Sequence, residues 1–293
     1  MRNISLLGIP TYTLVRYRGM GMAVTALREL GLTAVLRQKS VPFTDFGDVA
    51  LSQIDVDSGP SNLRNFPHFL ESTDMISDAV SKIPRDDFAF CLGGECGLIV
   101  GTLSGFKSTF KGQPGMLWLD AHGDFNTPET TSSGFIGGMP LALACGRGPK
   151  LGSKIENLRP LLREDQVVHL GNRDLDPLES SAMEASPMRV YSATRVHKEG
   201  VNKIAGEVAA YLANSTDWII CHLDVDVIDP SVISAVDFPS KGGLTLEEVK
   251  TIVEVLKRTE KLKVFNLTAY DPNLDEDQTS GRTILKLISE ILS

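Results

Sequence analysis

"GMLWLDAHGDFN", residues Gly115 to Asn126, changes character abruptly after Leu119. Its first half is an apolar, strand-like run, and its second sets Asp120, His122 and Asp124 at alternate positions. An extended chain sends residues i, i+2 and i+4 to the same side, so two carboxylates and an imidazole face one point. A second stretch repeats the arrangement: in "CHLDVDVIDP", Cys221 to Pro230, an apolar run ends in Asp224 and Asp226, two apart. Asp229, just ahead of Pro230, reads instead as a turn or cap residue.

Outward from these two runs, "ISLLGIP", "SVPFTDFG", "DFAFCLGG", "QVVHLG", "PMRVYSA" and "KLKVFNLTAY" bring the total to about eight strands. Helical patterns or long loops separate most of them, which predicts an α/β fold with a mainly parallel sheet and helices on both faces. "LTLEEVKTIVEVLKRTE" opens with Thr245 and Glu248 spaced as a capping box and carries a broad apolar face. "VNKIAGEVAAYLAN" and "RTILKLISEIL" show similar faces, while the turn-rich "DVDSGPSNLRNFPHF", Asp55 to Phe69, reads as a surface loop. With no internal repeat or low-complexity linker, one domain over residues 1–293 is the simplest account.

The composition is that of a globular protein with a large core, 42% hydrophobic and 23% charged. A formal net charge of −8, without a cluster of Lys and Arg, argues against nucleic acid or an anionic membrane as partner and for a small molecule. The N-terminal apolar run is too short for a signal peptide, and no apolar run reaches about 18 residues, so a cytoplasmic protein is expected. The four cysteines lack CxxC spacing and suit buried, reduced thiols.

Ligands of open α/β sheets bind beyond the carboxyl ends of the strands, where both Asp-rich stretches lie. Four carboxylates converging there repel one another and lose hydration, which raises their pKa values unless cations are present. Two divalent ions would offset the four charges, and oxygen-rich ligation with one or two imidazoles favours Mn²⁺ over Zn²⁺ or Fe²⁺.

"LGGEC", "DAHGD", "SGFIGGMP", "GNRDLDP", "HLDVDVIDP" and "GGLT", in that order, resemble the arginase/agmatinase (ureohydrolase) family. The resemblance runs from near the first strand to the last helix. It implies a single three-layer arginase-like domain with an eight-stranded sheet, a two-Mn²⁺ site whose bridging hydroxide attacks a guanidinium or related carbon, and a homo-oligomer. By the same resemblance, Asp120, His122, Asp224 and Asp226 match the ligands of one metal. Asp120, Asp224, Asp124 and Cys96 match those of the other.

Cys96 stands where the family's G-G-D-H motif has histidine. A thiolate is softer and adds negative charge, so this second position is expected to hold Mn²⁺ weakly; an inert buried cysteine is the alternative. The substitution, with "DAHGDFNTPETT", is similar to the hydroxyarginine-processing branch. Asn126 and Ser133 match positions that hold an amino acid's α-carboxylate, and Asp176 the one that reaches its α-amino group; all three also fit plain loop and turn roles.

Two departures count against ordinary arginase or agmatinase activity. Gly137 falls where the family has its pocket histidine, and Ala269 where it has the glutamate that pairs with the guanidinium. The expectation is a metal-dependent C-N hydrolase of a linear amidino or guanidino compound, with Asp124 orienting the nucleophile and passing a proton to the leaving nitrogen. A non-catalytic protein of the same fold, serving as a binding or regulatory subunit, is the other reading.

Overall fold

The computed structural model describes residues 2–38 and 42–292. Eight strands form one sheet in the order β2-β1-β3-β8-β7-β4-β5-β6. They are β1 Ile4–Ile9, β2 Phe43–Asp48, β3 Phe88–Gly93, β4 Pro114–Leu119, β5 Val167–Leu170, β6 Arg189–Tyr191, β7 Trp218–Asp224 and β8 Leu262–Thr268. Every strand pair is parallel, so the expected mainly parallel sheet is wholly parallel. The eight expected strands are all present; Ser40 and Val41, the first two residues of the expected second strand, lie outside the described residues.

β3, β4 and β7 are buried along nearly their whole length, as strands covered on both faces must be. One apolar cluster packs Val208 and Leu212 of the helix Val201–Ser215, Val249 and Val253 of Leu246–Lys257, and Ile284 and Ile288 of Thr279–Ile291 on one face. On the other, Phe69 and Ile76 of Phe66–Val80 and Leu103 of Leu98–Thr109 pack with Met116, Trp118 and Ile220. The capping box at Thr245 forms as expected: its Oγ1 accepts from Glu248 N at 3.2 Å and its N donates to Glu248 Oε2 at 2.8 Å.

The stretch Asp55–Phe69 is the expected surface loop over its exposed residues 55–62 and departs from it only at its end. Phe66 already begins a helix, with Pro67 in its first turn, where a missing N–H costs nothing. Asn65 is buried and laces the loop together, its Oδ1 accepting from Ser58 N at 2.7 Å and its Nδ2 donating to Thr13 O at 2.8 Å. Local composition could not show that Asn65 turns inward.

The strand order reverses around β8, β7 and β4, and a parallel sheet opens a crevice beyond its carboxyl edge at such a place. Cys96 follows β3, Asp120 to Asp124 follow β4, Asp224 ends β7 and Ala269 follows β8. Three separate segments therefore deliver their polar groups to one spot, and the fourth adds Ala269 beside them.

Candidate active site

The edge opens into a cavity of about 310 Å³ lined by Cys96, His122, Asp124, Asp224 and Asp226 among others. Asn126, Ser133 and Asp176 line it too, so the residues singled out in the sequence converge here. Two sets of donor atoms, each within 4.8 Å of one another, meet beside it: Cys96, Asp120 and Asp224, and Asp120, His122 and Asp226. Asp120 belongs to both.

Backbone geometry fixes these side chains. Asp120 Oδ1 accepts from His122 N at 2.7 Å and its Oδ2 from Trp118 Nε1 at 3.0 Å. Asp224 Oδ1 accepts from Asp226 N at 2.8 Å, and Asp226 Oδ1 from Ala121 N at 3.1 Å. Arg173 braces the second segment from outside, its Nη2 donating to Asp226 O at 2.7 Å and to Ser240 O at 2.8 Å. Gly94 is needed for Cys96 to reach the edge, because a Cβ at Gly94 would stand 1.9 Å from the carbonyl oxygen of Thr11.

The two sets differ in charge. His122 Nδ1 lies 3.0 Å from Asp226 Oδ2 and 3.4 Å from Asp120 Oδ1. Burial opposes its charge, yet Asp226 and Asp120 push its pKa up to about 12. Burial likewise works against ionisation of Asp226, but the His122 charge and hydrogen bonds hold its carboxyl below the usual range.

Among the described residues no salt bridge or hydrogen bond joins Cys96 to a cation. Its thiol donates to Asp224 Oδ2 at 2.9 Å and lies 3.3 Å from Thr268 Oγ1. Burial, then Asp224, Asp124 and Asp120, raise the thiol well above its ordinary pKa. Burial and neighbouring carboxylates also raise Asp224 and Asp124 well above theirs, and Asp120 to about 6.

A divalent cation fits this donor set. Buried carboxylates whose charges are only partly offset resist ionisation, and a divalent cation would relieve them. Asp124 stands apart from both sets while lining the same cavity. Its backbone adopts φ 49°, and its carbonyl accepts from Leu141 N at 3.0 Å at the start of the helix Pro140–Ala144. A non-glycine residue in this left-handed region carries strain of roughly 1 kcal/mol or more.

Asn126 Nδ2 donates to Asp176 Oδ2 and to Glu179 Oε1, each at 3.2 Å. Glu179 was not singled out by sequence. It also accepts from Phe125 N at 2.9 Å, and burial raises its pKa to about 7. Asp176 and Glu179 flank Pro177 at capping-box spacing, a signal that pointed to the pair, though not to their turning into the cavity. Glu95, also missed, is buried beside Cys96, takes hydrogen bonds from Thr13 on Oε2 and leaves Oε1 without a partner. Asp229 proves structural as expected: it accepts from Ser231 N, Gly242 N and Gly243 N.

The two departures have physical counterparts. A Cβ at Gly137 would lie 2.2 Å from the Phe135 ring, so that ring fills the space a side chain there would take. Ala269, at φ 71°, packs with Leu14, Tyr17 and Met20, which makes its wall of the cavity apolar.

Two groups of side chains able to hold a metal ion, at the carboxyl edge of a wholly parallel eight-stranded sheet, define the class: an α/β protein with a candidate metal centre. The sequence profile described as the Arginase family matches residues 2–293, and the chain belongs to that family. It is 31% identical to the arginase of Bacillus caldovelox over 294 residues, 99% of this chain and 98% of that one. The solved structure of that arginase superposes with a TM-score of 0.93 over 100% of this chain and 99% of the other. An arginase of Bacillus subtilis (strain 168) is 30% identical over 99% of this chain and 98% of its own length. Proclavaminate amidino hydrolase from Streptomyces clavuligerus, 19% identical with a TM-score of 0.76 over 99% of this chain and 91% of that one, shares the fold.

Proposed function

We propose that the chain is a metal-dependent hydrolase of the C-N bond in a linear guanidino or amidino compound other than ordinary arginase substrates. The observation that carries this reading is the meeting of two donor sets on Asp120 beside a cavity that also holds Asn126, Ser133 and Asp176. Cys96, Asp120, His122, Asp124, Asp224 and Asp226 would hold one or two divalent ions, Mn²⁺ first among them. Such an ion supplies a water nucleophile at neutral pH by lowering the pKa of water toward 7.

The protein's own groups do the rest. Asp124 takes the proton of the attacking water on its carboxylate and returns it to the leaving nitrogen. Asn126 and Ser133 offer neutral donors to a substrate carboxylate, and Asp176 offers an anion to its ammonium. Glu179 keeps Asn126 turned toward the cavity. Phe135 and Phe238, 5.9 Å apart between ring centroids, give it an apolar side. The reading extends to one domain over residues 1–293 acting as a cytoplasmic homo-oligomer on a small molecule.

Release of urea or ammonia from a panel of guanidino and amidino acids, N-hydroxyarginine and L-arginine included, tests the proposal with Mn²⁺-loaded protein. Turnover of a modified guanidino or amidino acid is expected, with L-arginine slower. Protein that carries its full metal and hydrolyses nothing in the panel would instead be a binding or regulatory subunit.

A further inference from the structure

The loop after β7 brings one more carboxylate to the cavity. Asp237 lines it between Val236 and Phe238, with Met20 and Ala269 also on its surface. Among the described residues no hydrogen bond or salt bridge reaches Asp237, and its Oδ2 is shut off from solvent. Arg16, the cation that influences it, is exposed and forms no salt bridge with it. The donor sets around Asp120 do not include it.

A half-buried carboxylate with no donor is costly to keep ionised. Burial, then Asp271, hold its pKa up to about 6. A ligand group carrying several N–H donors and a positive charge removes both deficits at once. Phe238 lines the cavity beside Asp237, and aromatic faces attract cations. Ala269 and Met20 make the adjoining wall apolar.

We propose that Asp237 is a specificity-determining residue that receives the N–H-rich cationic head of the substrate, a guanidinium or amidinium. The inference rests on the hydrolase reading of the same cavity. It also revises the sequence expectation that Ala269 leaves such a head without a carboxylate, since one arrives from another loop.

Calorimetric titration of Mn²⁺-loaded protein with L-arginine and with L-citrulline, its neutral isostere, reads this without turnover. Wild type is expected to prefer L-arginine by at least about tenfold, because a site built to pair with N–H donors rejects the analogue that lacks them. In Asp237→Asn that preference falls toward one while citrulline affinity and metal content hold, and Asp237→Glu restores part of it. A preference unchanged in Asp237→Asn, an equal loss for both compounds, or a wild type that binds neither would overturn the assignment. None of these outcomes touches the hydrolase reading, which stands or falls on metal content and turnover of the wider panel.

Discussion

The two donor sets that share Asp120 are unlike in a way that residue identities alone reverse. Around His122 every ligand type the resemblance implies is kept, and the imidazolium already offsets Asp226 and Asp120 at 3.0 and 3.4 Å. Around Cys96 a neutral thiol donates to Asp224, and carboxylates there resist ionisation. The set with the better ligands is thus internally neutralised. The set with the worse ligand has the greater need of an ion's charge. Ligand softness and charge deficit pull metal preference in opposite directions.

Removing the residue both sets share should have the largest effect. Asp120→Ala is expected to lower metal affinity at both positions by more than about 100-fold, exceeding what loss of an outer partner costs. Elemental analysis of dialysed protein checks it; loss of one ion with retention of the other would show that the sets are independent.

Cys96→His probes the difference itself. Imidazole is neutral and suits Mn²⁺ better than a thiolate, so Mn²⁺ per chain should rise toward two from a lower wild-type value. Two tightly held ions in wild type, or no gain in the variant, would make Cys96 a buried structural thiol.

The charge deficit predicts a pH dependence in metal-free protein. Glu95 and Glu179 are raised to about 7 and Asp120 to about 6. The folded state therefore binds more protons than the unfolded one between about pH 4 and 7, and stability falls as pH rises through that window. His122, raised to about 12, acts in the same direction above its ordinary value of 6.5: its contribution is full below that pH and lost as pH rises. Carboxylates held low by partners, such as Glu164 and Asp45, change only at lower pH, while His169 and His222, lowered to about 3 by burial, act the other way below about pH 6.5 and are outnumbered by the raised groups. Metal-free protein should melt at least about 3 °C lower at pH 8 than at pH 5.5, and Mn²⁺ should remove most of the difference. A flat or rising profile without metal would contradict the charge deficit.

The smallest effect belongs away from the cavity. Thr245→Ala deletes the cap that accepts from Glu248 N and should cost about 1 kcal/mol of stability without altering metal content. Urea denaturation with metal analysis separates the two; a fall in bound Mn²⁺ would mean that this helix and the site are coupled.

The sheet and most of the donor set were legible because their signals are local. Apolar runs of strand length, a capping box at Thr245 and alternate acids after β4 and β7 each follow from backbone periods of about 3.6 or 2 residues. Asp120, His122, Asp224 and Asp226 could be paired across about 100 residues of chain because strand ends in a parallel sheet share one edge. Nothing local marks Glu95, Glu179 or Asp237 as cavity residues: each sits in a cap or loop, where acids are common for reasons unrelated to ligands. That His122 pairs with Asp226, and that an unpaired carboxylate at Asp237 lines the same cavity as Ala269, are facts of distance between segments far apart in sequence. Charge and volume act through space, so only the tertiary structure decided them.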